Sequence, residues 1–396
     1  KEMATKITSG SIFSAGAVVT GVDADAPPSP EPEPAPAPVS TSASNLVVSV
    51  NGGADVYFYD IDNLSGTPTY IDPPQSTSND QWLYTATSDY NGTLVLGDIH
   101  IYTAGEIFIY DVSGSTPVLQ HQLTPFDGSS GDYYSYDIAI NDRFIAVGSP
   151  RDDDDGSFSG SVYVYDRNDI TAQPIKLTAE NAESGDRFGR SVTFTTDKLF
   201  VGAYITDEGA TDTGSIYVYD INDFSAQAIE LVPPNPSYRK FTGYSIDSFG
   251  DIVVVGSYGI QDGSLYVYDA TNLSSDPVHL TENLSGKRYG EYISISQTHI
   301  ATTAYKHNNN EGAVFVYDRS DLSAPAIEVT APQSDLNALE SYENMVFGLG
   351  GVDLSENKLA VGSVLGGIYV YDINNLSSPS NTLLNNTQST RLVKFV

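Results

Sequence analysis

A short aromatic strand ending in Tyr-Asp is written seven times along this chain. The copies are Val56–Asp60, Ile107–Asp111, Val162–Asp166, Ile216–Asp220, Leu265–Asp269, Val314–Asp318 and Ile368–Asp372, and their closing Asp residues stand 51, 55, 54, 49, 49 and 54 positions apart. Self-similarity at this period marks a repeat architecture, in which one unit cannot bury its apolar face alone and must stack on its neighbours.

Each repeat after residue 44 reads as four strand-like runs. In the fourth repeat these are Arg187–Thr195, Lys198–Ala203, Ser215–Asp220 and Gln227–Val232, with Gly, Asp, Asn, Ser and Pro in the gaps. No 3.6-residue periodicity competes. Four antiparallel strands per ~50 residues is the unit of a propeller blade. The middle strands are apolar almost without alternation, as expected when both faces of a blade are covered. The Tyr-Asp strands hold 12 of the 27 Tyr. Each Tyr offers a large apolar body and a hydroxyl able to reach a loop.

The expected fold is therefore an all-β, seven-bladed propeller over residues 45–396. The first repeat has only three runs (Leu46–Val50, Val56–Asp60 and Thr67–Ile71), whereas Arg391–Val396 (RLVKFV) is left over at the other end. That run is predicted to be the missing inner strand of blade 1, removing two open sheet edges at once.

Residues 1–44 differ. Ala26–Pro38 alternates Pro with Glu and Ala. It favours polyproline II, a semi-rigid spacer of roughly 3.1 Å per residue, about 40 Å in all. Ile7–Val22 mixes Ser, Thr and Gly with Ile, Phe and Val, and reads either as a disordered leader or as a strand donated to a partner's sheet. We expect an extended arm that anchors the propeller to other protein chains. Met3-Ala4-Thr5 reads like a natural start, and no signal peptide is expected.

Charge restricts the partners. Asp and Glu number 51 against 18 Lys and Arg, a formal net charge of −33. Phosphate contacts need clustered Lys and Arg, so neither nucleic acid nor an anionic membrane surface is expected. No segment reaches the ~18 apolar residues of a membrane span. Cysteine is absent, which removes disulfides and thiolate metal sites.

Two further signatures carry a resemblance. Phe188-Gly189, Tyr289-Gly290 and Phe347-Gly348 open first strands, with a looser Phe241-Thr242-Gly243 in another repeat. Second strands end in Val147-Gly148-Ser149-Pro150, Val201-Gly202-Ala203, Val255-Gly256-Ser257 and Val361-Gly362-Ser363. This pattern resembles the FG-GAP repeat family, whose seven-bladed propellers include integrin α heads and many bacterial and viral surface proteins. Blades 1 and 2 match least, and Trp82 stands where a Phe-Gly pair is expected. The turns Asp62-Asn63-Leu64-Ser65, Asn222-Asp223-Phe224-Ser225 and Asn374-Asn375-Leu376-Ser377 give a looser similarity to propeller modules of marine phage structural proteins.

The resemblance implies a non-catalytic structural and interaction protein on a virion surface or appendage, or otherwise extracellular, presenting its propeller for attachment. The alternative is a secreted or cell-surface adhesion propeller that binds protein or glycan, and a third reading is a hydrolase or lyase. The five His residues (His100, His121, His279, His299 and His307) show neither metal-ligand spacing nor a nucleophile motif, so no enzyme is expected.

Three groups of residues invite chemistry. Asp152–Asp155 followed by Gly156 is the densest acidic run. It reads as a solvated turn; the alternative, from the calcium loops of FG-GAP propellers, makes Asp152 and Asp154 ligands of Ca²⁺. The seven terminal Asp residues, Asp60 to Asp372, look like a carboxylate ring. A residue present in every blade normally serves the blade, and here an Asx-type turn is expected. The Asn-x-Ser sites at Asn63, Asn272 and Asn375 belong to the same turn, and the following Leu64, Ile170, Phe224, Leu273, Leu322 and Leu376 are expected to plug it onto the blade. Arg187, Arg239, Lys240 and Arg288 precede first strands on one rim, where salt bridges to blade carboxylates are expected, or else a patch for an anionic partner.

Overall fold

The computed structural model describes residues 45–396 apart from 51–55, 72–83, 100–102, 115, 260–262, 283, 285, 337–345, 364–366, 384–389 and 396. The arm of residues 1–44 and Trp82 lie outside the described residues.

Seven four-stranded antiparallel sheets follow one another along the chain. Blade 1 is assembled from both ends: Thr390–Phe395 pairs with Asn45–Val50, which pairs with Val56–Asp60 and then Thr69–Ile71. Leu46 faces Phe395 and Ser49 faces Leu392, so the C-terminal run closes the ring as the inner strand of blade 1. Neighbouring inner strands lie side by side, as Phe188–Phe194 of blade 4 does with Thr242–Phe249 of blade 5. Antiparallel pairing puts the start of each first strand on one face of the disc, called upper here. The Tyr-Asp ends of the third strands lie on the lower face.

Strand limits differ from the sequence reading at the edges. In blade 4 the first strand is Phe188–Phe194 and the fourth is only Ile229–Leu231. Arg187 sits at φ 61°, in the left-handed region that ends a strand. The fourth strand pairs on one side only, through Ile216–Leu231, Tyr217–Glu230 and Val218–Ile229, so nothing extends it outward. Blade 2 is the exception, with a six-residue outer strand, Val118–Leu123.

Packing explains the repeated residues. Third-strand side chains face the adjacent blades on both sides, and Tyr163, Tyr217, Tyr266 and Tyr369 are all buried. Full burial of such a side chain contributes roughly 1.5–3 kcal/mol. Their hydroxyls find partners: Tyr163 donates to Asp127 at 2.7 Å, and Tyr219 donates to the carbonyl of Thr178 at 3.1 Å. In blades 3, 4, 6 and 7 the aromatic of the Phe-Gly or equivalent pair packs against a third-strand ring of its own blade. Ring centroids lie 5.4 Å apart for Phe188–Tyr217, 5.4 Å for Tyr134–Tyr163 and 5.7 Å for Tyr289–Phe315, all edge-on.

Glycine is required where blades touch. A Cβ on Gly148 would meet the Gly189 carbonyl oxygen of the next blade at 2.0 Å, and one on Gly202 would meet that of Gly243 at 2.0 Å. Gly189 and Gly243 themselves hold φ near 83° and 82°. The two signatures are therefore two halves of one backbone contact between consecutive blades.

Candidate functional site

The ring of terminal carboxylates on the lower face is scaffold, as expected. Asp60, Asp111, Asp166, Asp220, Asp269, Asp318 and Asp372 each accept a hydrogen bond from the backbone N–H two residues on, at 2.8–2.9 Å. Hydrogen bonds from Ser113 and Thr271 hold the Asp111 and Asp269 carboxyls below their ordinary range. A second tie follows at Asn272, whose Oδ1 accepts from the Ser274 hydroxyl at 2.7 Å, and at Asn375, which accepts from Ser377 at 2.6 Å. Leu64 is buried beneath this turn, and Ile170, Phe224, Leu273, Leu322 and Leu376 pack against the blade cores.

The acidic run lies on the upper face of blade 3. Asp152 is buried, and its Oδ2 accepts from Ser161 Oγ at 2.9 Å and shares the single Tyr163 O–H with Asp127, lying 2.9 Å from Tyr163 Oη. The Lys176 ammonium of the fourth strand stands between three carboxylates, 2.9 Å from Asp127, 3.0 Å from Asp152 and 2.5 Å from Asp154. Asp152 and Asp154 are thus brought together, with an internal cation held between them. Burial disfavours the Lys176 charge, but the three carboxylates prevail and its pKa is raised. Blade 4 builds the same frame from other groups: Tyr217 donates to Asn181 at 2.8 Å, and the Asn181 amide donates to Glu230 at 3.3 Å and Glu208 at 3.4 Å. Among the described residues no group of three or more His, Asp or Glu is arranged to hold a metal ion.

The four rim cations divide. Arg239 pairs with Asp212 at 3.0 Å and Arg288 with Glu291 at 3.3 Å, as expected. Arg187 instead lies over the Phe158 ring at 5.0 Å, and Lys240 over Tyr266 at 5.2 Å while donating to the carbonyl of Asn235. Tyr and Phe faces carry partial negative charge and attract a cation.

A cluster that the sequence reading missed occupies the upper mouth of the ring. In blades 4 and 5 the residue after the Phe-Gly or equivalent pair leaves the pairing at a bulge, shown by the register jump between Phe188 and Ser191 and between Thr242 and Ser245, and in blades 3 and 6 it stands just before the first strand. That position holds Tyr136, Arg190, Tyr244 and Glu291 in blades 3 to 6. Two residues beyond the second-strand glycine position stand Tyr204, Tyr258 and Tyr305 of blades 4 to 6.

These side chains converge. The Arg190 guanidinium lies 3.6 Å from the Tyr244 ring centroid, 4.4 Å from Tyr136 and 5.9 Å from Tyr204. Tyr244 meets Tyr258 edge-on at 4.4 Å, and Arg288 lies 4.6 Å over Tyr258. Tyr292 of blade 6 is within electrostatic reach of Tyr136 and Arg190 in blades 3 and 4. Blades 3 and 6 are not neighbours, so this electrostatic reach spans the axis. Glu291 is buried, and burial pushes its carboxyl up against the opposing pull of Arg288 and Arg190. Burial also pushes the Tyr244 hydroxyl up to about 12, although Arg190 opposes it. The signal for this cluster was present in the sequence as variation at one fixed offset from an otherwise repeated pair.

A closed ring of four-stranded blades with these shared inter-blade contacts is a seven-bladed β-propeller, and its repeated residues serve the blades. Residues 118–165 and 172–219 match the FG-GAP repeat, each match running from a fourth strand into the third strand of the next blade. Over those two stretches the propeller carries FG-GAP repeats, which points to a protein of interaction or adhesion type; FG-GAP repeat proteins are often extracellular or surface-exposed. No curated protein matches the chain. Among the described residues no helix is long and apolar enough to cross a membrane.

Proposed function

We propose that this protein is a non-catalytic interaction propeller of a virion surface or appendage, anchored through residues 1–44 and presenting its disc for attachment. The observation that carries the reading is the FG-GAP match within a closed ring. The repeated polar groups are engaged in turns, which leaves recognition to what varies between blades. Immunogold labelling of particles from the producing culture with an antibody to the propeller tests the placement. Label on particles is expected for the full chain and its loss after deletion of residues 1–44. Free soluble protein with unlabelled particles would refute it.

The second reading, a secreted or cell-surface adhesion propeller binding protein or glycan, is favoured by the axial Arg–Tyr cluster. In that reading, calcium at Asp152 and Asp154 must displace the Lys176 ammonium.

A further inference from the structure

We infer that the upper axial mouth binds an anionic sugar, with Arg190 taking the carboxylate or sulfate group and the surrounding tyrosines taking the sugar ring. This deepens the interaction reading and rests on it.

Charge is the first argument. Among the described residues Arg190 has no carboxylate within 4.0 Å, whereas Arg288 is matched by Glu291. Glu291 is further engaged by the Tyr305 hydroxyl at 3.4 Å. The positive charge left over at the axis is therefore that of Arg190. Aromatic faces steady a cation but accept no fork of hydrogen bonds, and a guanidinium carries five N–H donors matched to a carboxylate or sulfate. In a chain of net charge −33, a central cation whose nearby carboxylate, Glu291, is already paired with Arg288 attracts an anion to this spot against the repulsion of the rest.

Shape and chemistry of the walls are the second argument. Tyr136, Tyr204, Tyr244 and Tyr292 are half-buried, so they are neither sealed in the core nor free. Tyr204 meets Tyr244 edge-on at 5.0 Å, which sets flat faces at an angle to one another around the guanidinium. A pyranose offers an apolar C–H face to such rings and hydroxyls to their phenols.

Economy of scaffold points the same way. The Arg190 position is Tyr in blades 3 and 5, Glu in blade 6 and Leu in blade 7, so no blade needs an arginine there to close its bulge.

The test is titration of the full chain, followed by saturation-transfer NMR and calorimetry. The probes are glucuronic acid, N-acetylglucosamine 6-sulfate, uncharged glucose and a glutamate-containing tripeptide. At least one anionic sugar is expected to bind, with glucose about tenfold weaker or worse; which of the two prevails separates carboxylate from sulfate recognition. Arg190→Gln is expected to lose about 10- to 100-fold in affinity, the usual range for a charge-assisted pair. Arg190→Lys keeps the charge beside the rings but loses the fork, and is expected to weaken binding while preserving the melting temperature. Absence of binding to either anionic sugar overturns the inference, as does equal binding by wild type and both variants. Tighter binding of the tripeptide than of the sugars also overturns it, in favour of an acidic protein partner. Failure of this site leaves particle labelling unaffected, so the interaction reading falls or stands separately.

Discussion

Replacing Lys176 by Met removes the cation from among three carboxylates while keeping most of the side-chain volume. At 3.0 Å and an effective dielectric of 20, the Lys176–Asp152 pair has a gross attraction of about 5.5 kcal/mol, most of which desolvation offsets. What the variant loses is the partner of a buried acid: the Asp152 side chain is 4% exposed and that of Lys176 14%, whereas Asp154 is 60% exposed and adds little. Breaking a buried pair costs ~3–5 kcal/mol, and the lower end applies here because the site opens to water on the Asp154 side. With an unfolding entropy of ~2.1 cal/mol/K per residue over roughly 350 propeller residues, 3 kcal/mol corresponds to a melting temperature lower by about 4 °C.

The pH dependence of this loss has a definite sign. Burial opposes ionisation of Asp127, but hydrogen bonds from Tyr163 and Lys176, with the Lys176 charge, hold its carboxyl below 3.8. The stability from that depressed value is present above 3.8 and disappears as pH falls through the folded value. The raised pKa of Lys176 contributes fully below 10.5, so it is complete at pH 7. Thermal melts followed by far-UV circular dichroism should therefore show the parent–variant gap at pH 7 and its narrowing toward pH 3. A gap under 1 °C at pH 7, or one of the same size at pH 3, would refute the reasoning. The same melts with added calcium bear on the metal reading: stabilisation of the parent would mean that calcium displaces Lys176.

Asp98, buried and pushed up to about 7 by burial and by Glu106, has a carboxyl oxygen without a partner among the described residues. Its protonated form contributes stability below 3.8 that is lost as pH rises through about 7, so Asp98→Asn should stabilise by about 2–4 kcal/mol at pH 8 and hardly at all at pH 4; equal effects at both would sink the idea. Deleting Leu392–Val396 removes the inner strand of blade 1 and uncovers the edge of Asn45–Val50, so a large drop in melting temperature and aggregation are expected, and an unchanged melt would disprove ring closure. Gly202→Ala drives a Cβ to 2.0 Å from the Gly243 carbonyl and should cost ~3 kcal/mol or more in denaturant titration; a neutral result would show that the blades can separate there.

The period of the Tyr-Asp strands was enough to determine the number of blades, the strand roles and the closing function of Arg391–Phe395. Each of these is a local pattern repeated, and repetition leaves few ways to pack. It was also enough to demote the terminal Asp ring, since an Asx turn is decided within three residues. Tertiary structure alone decided that Lys176 reaches Asp127, Asp152 and Asp154, because that contact joins the fourth strand to two separate loops. It alone decided that Tyr136, Arg190, Tyr244 and Glu291 meet. Those residues lie roughly 50 positions apart and belong to four blades, and only closure of the ring turns a shared offset from the Phe-Gly pair into a shared point on the axis.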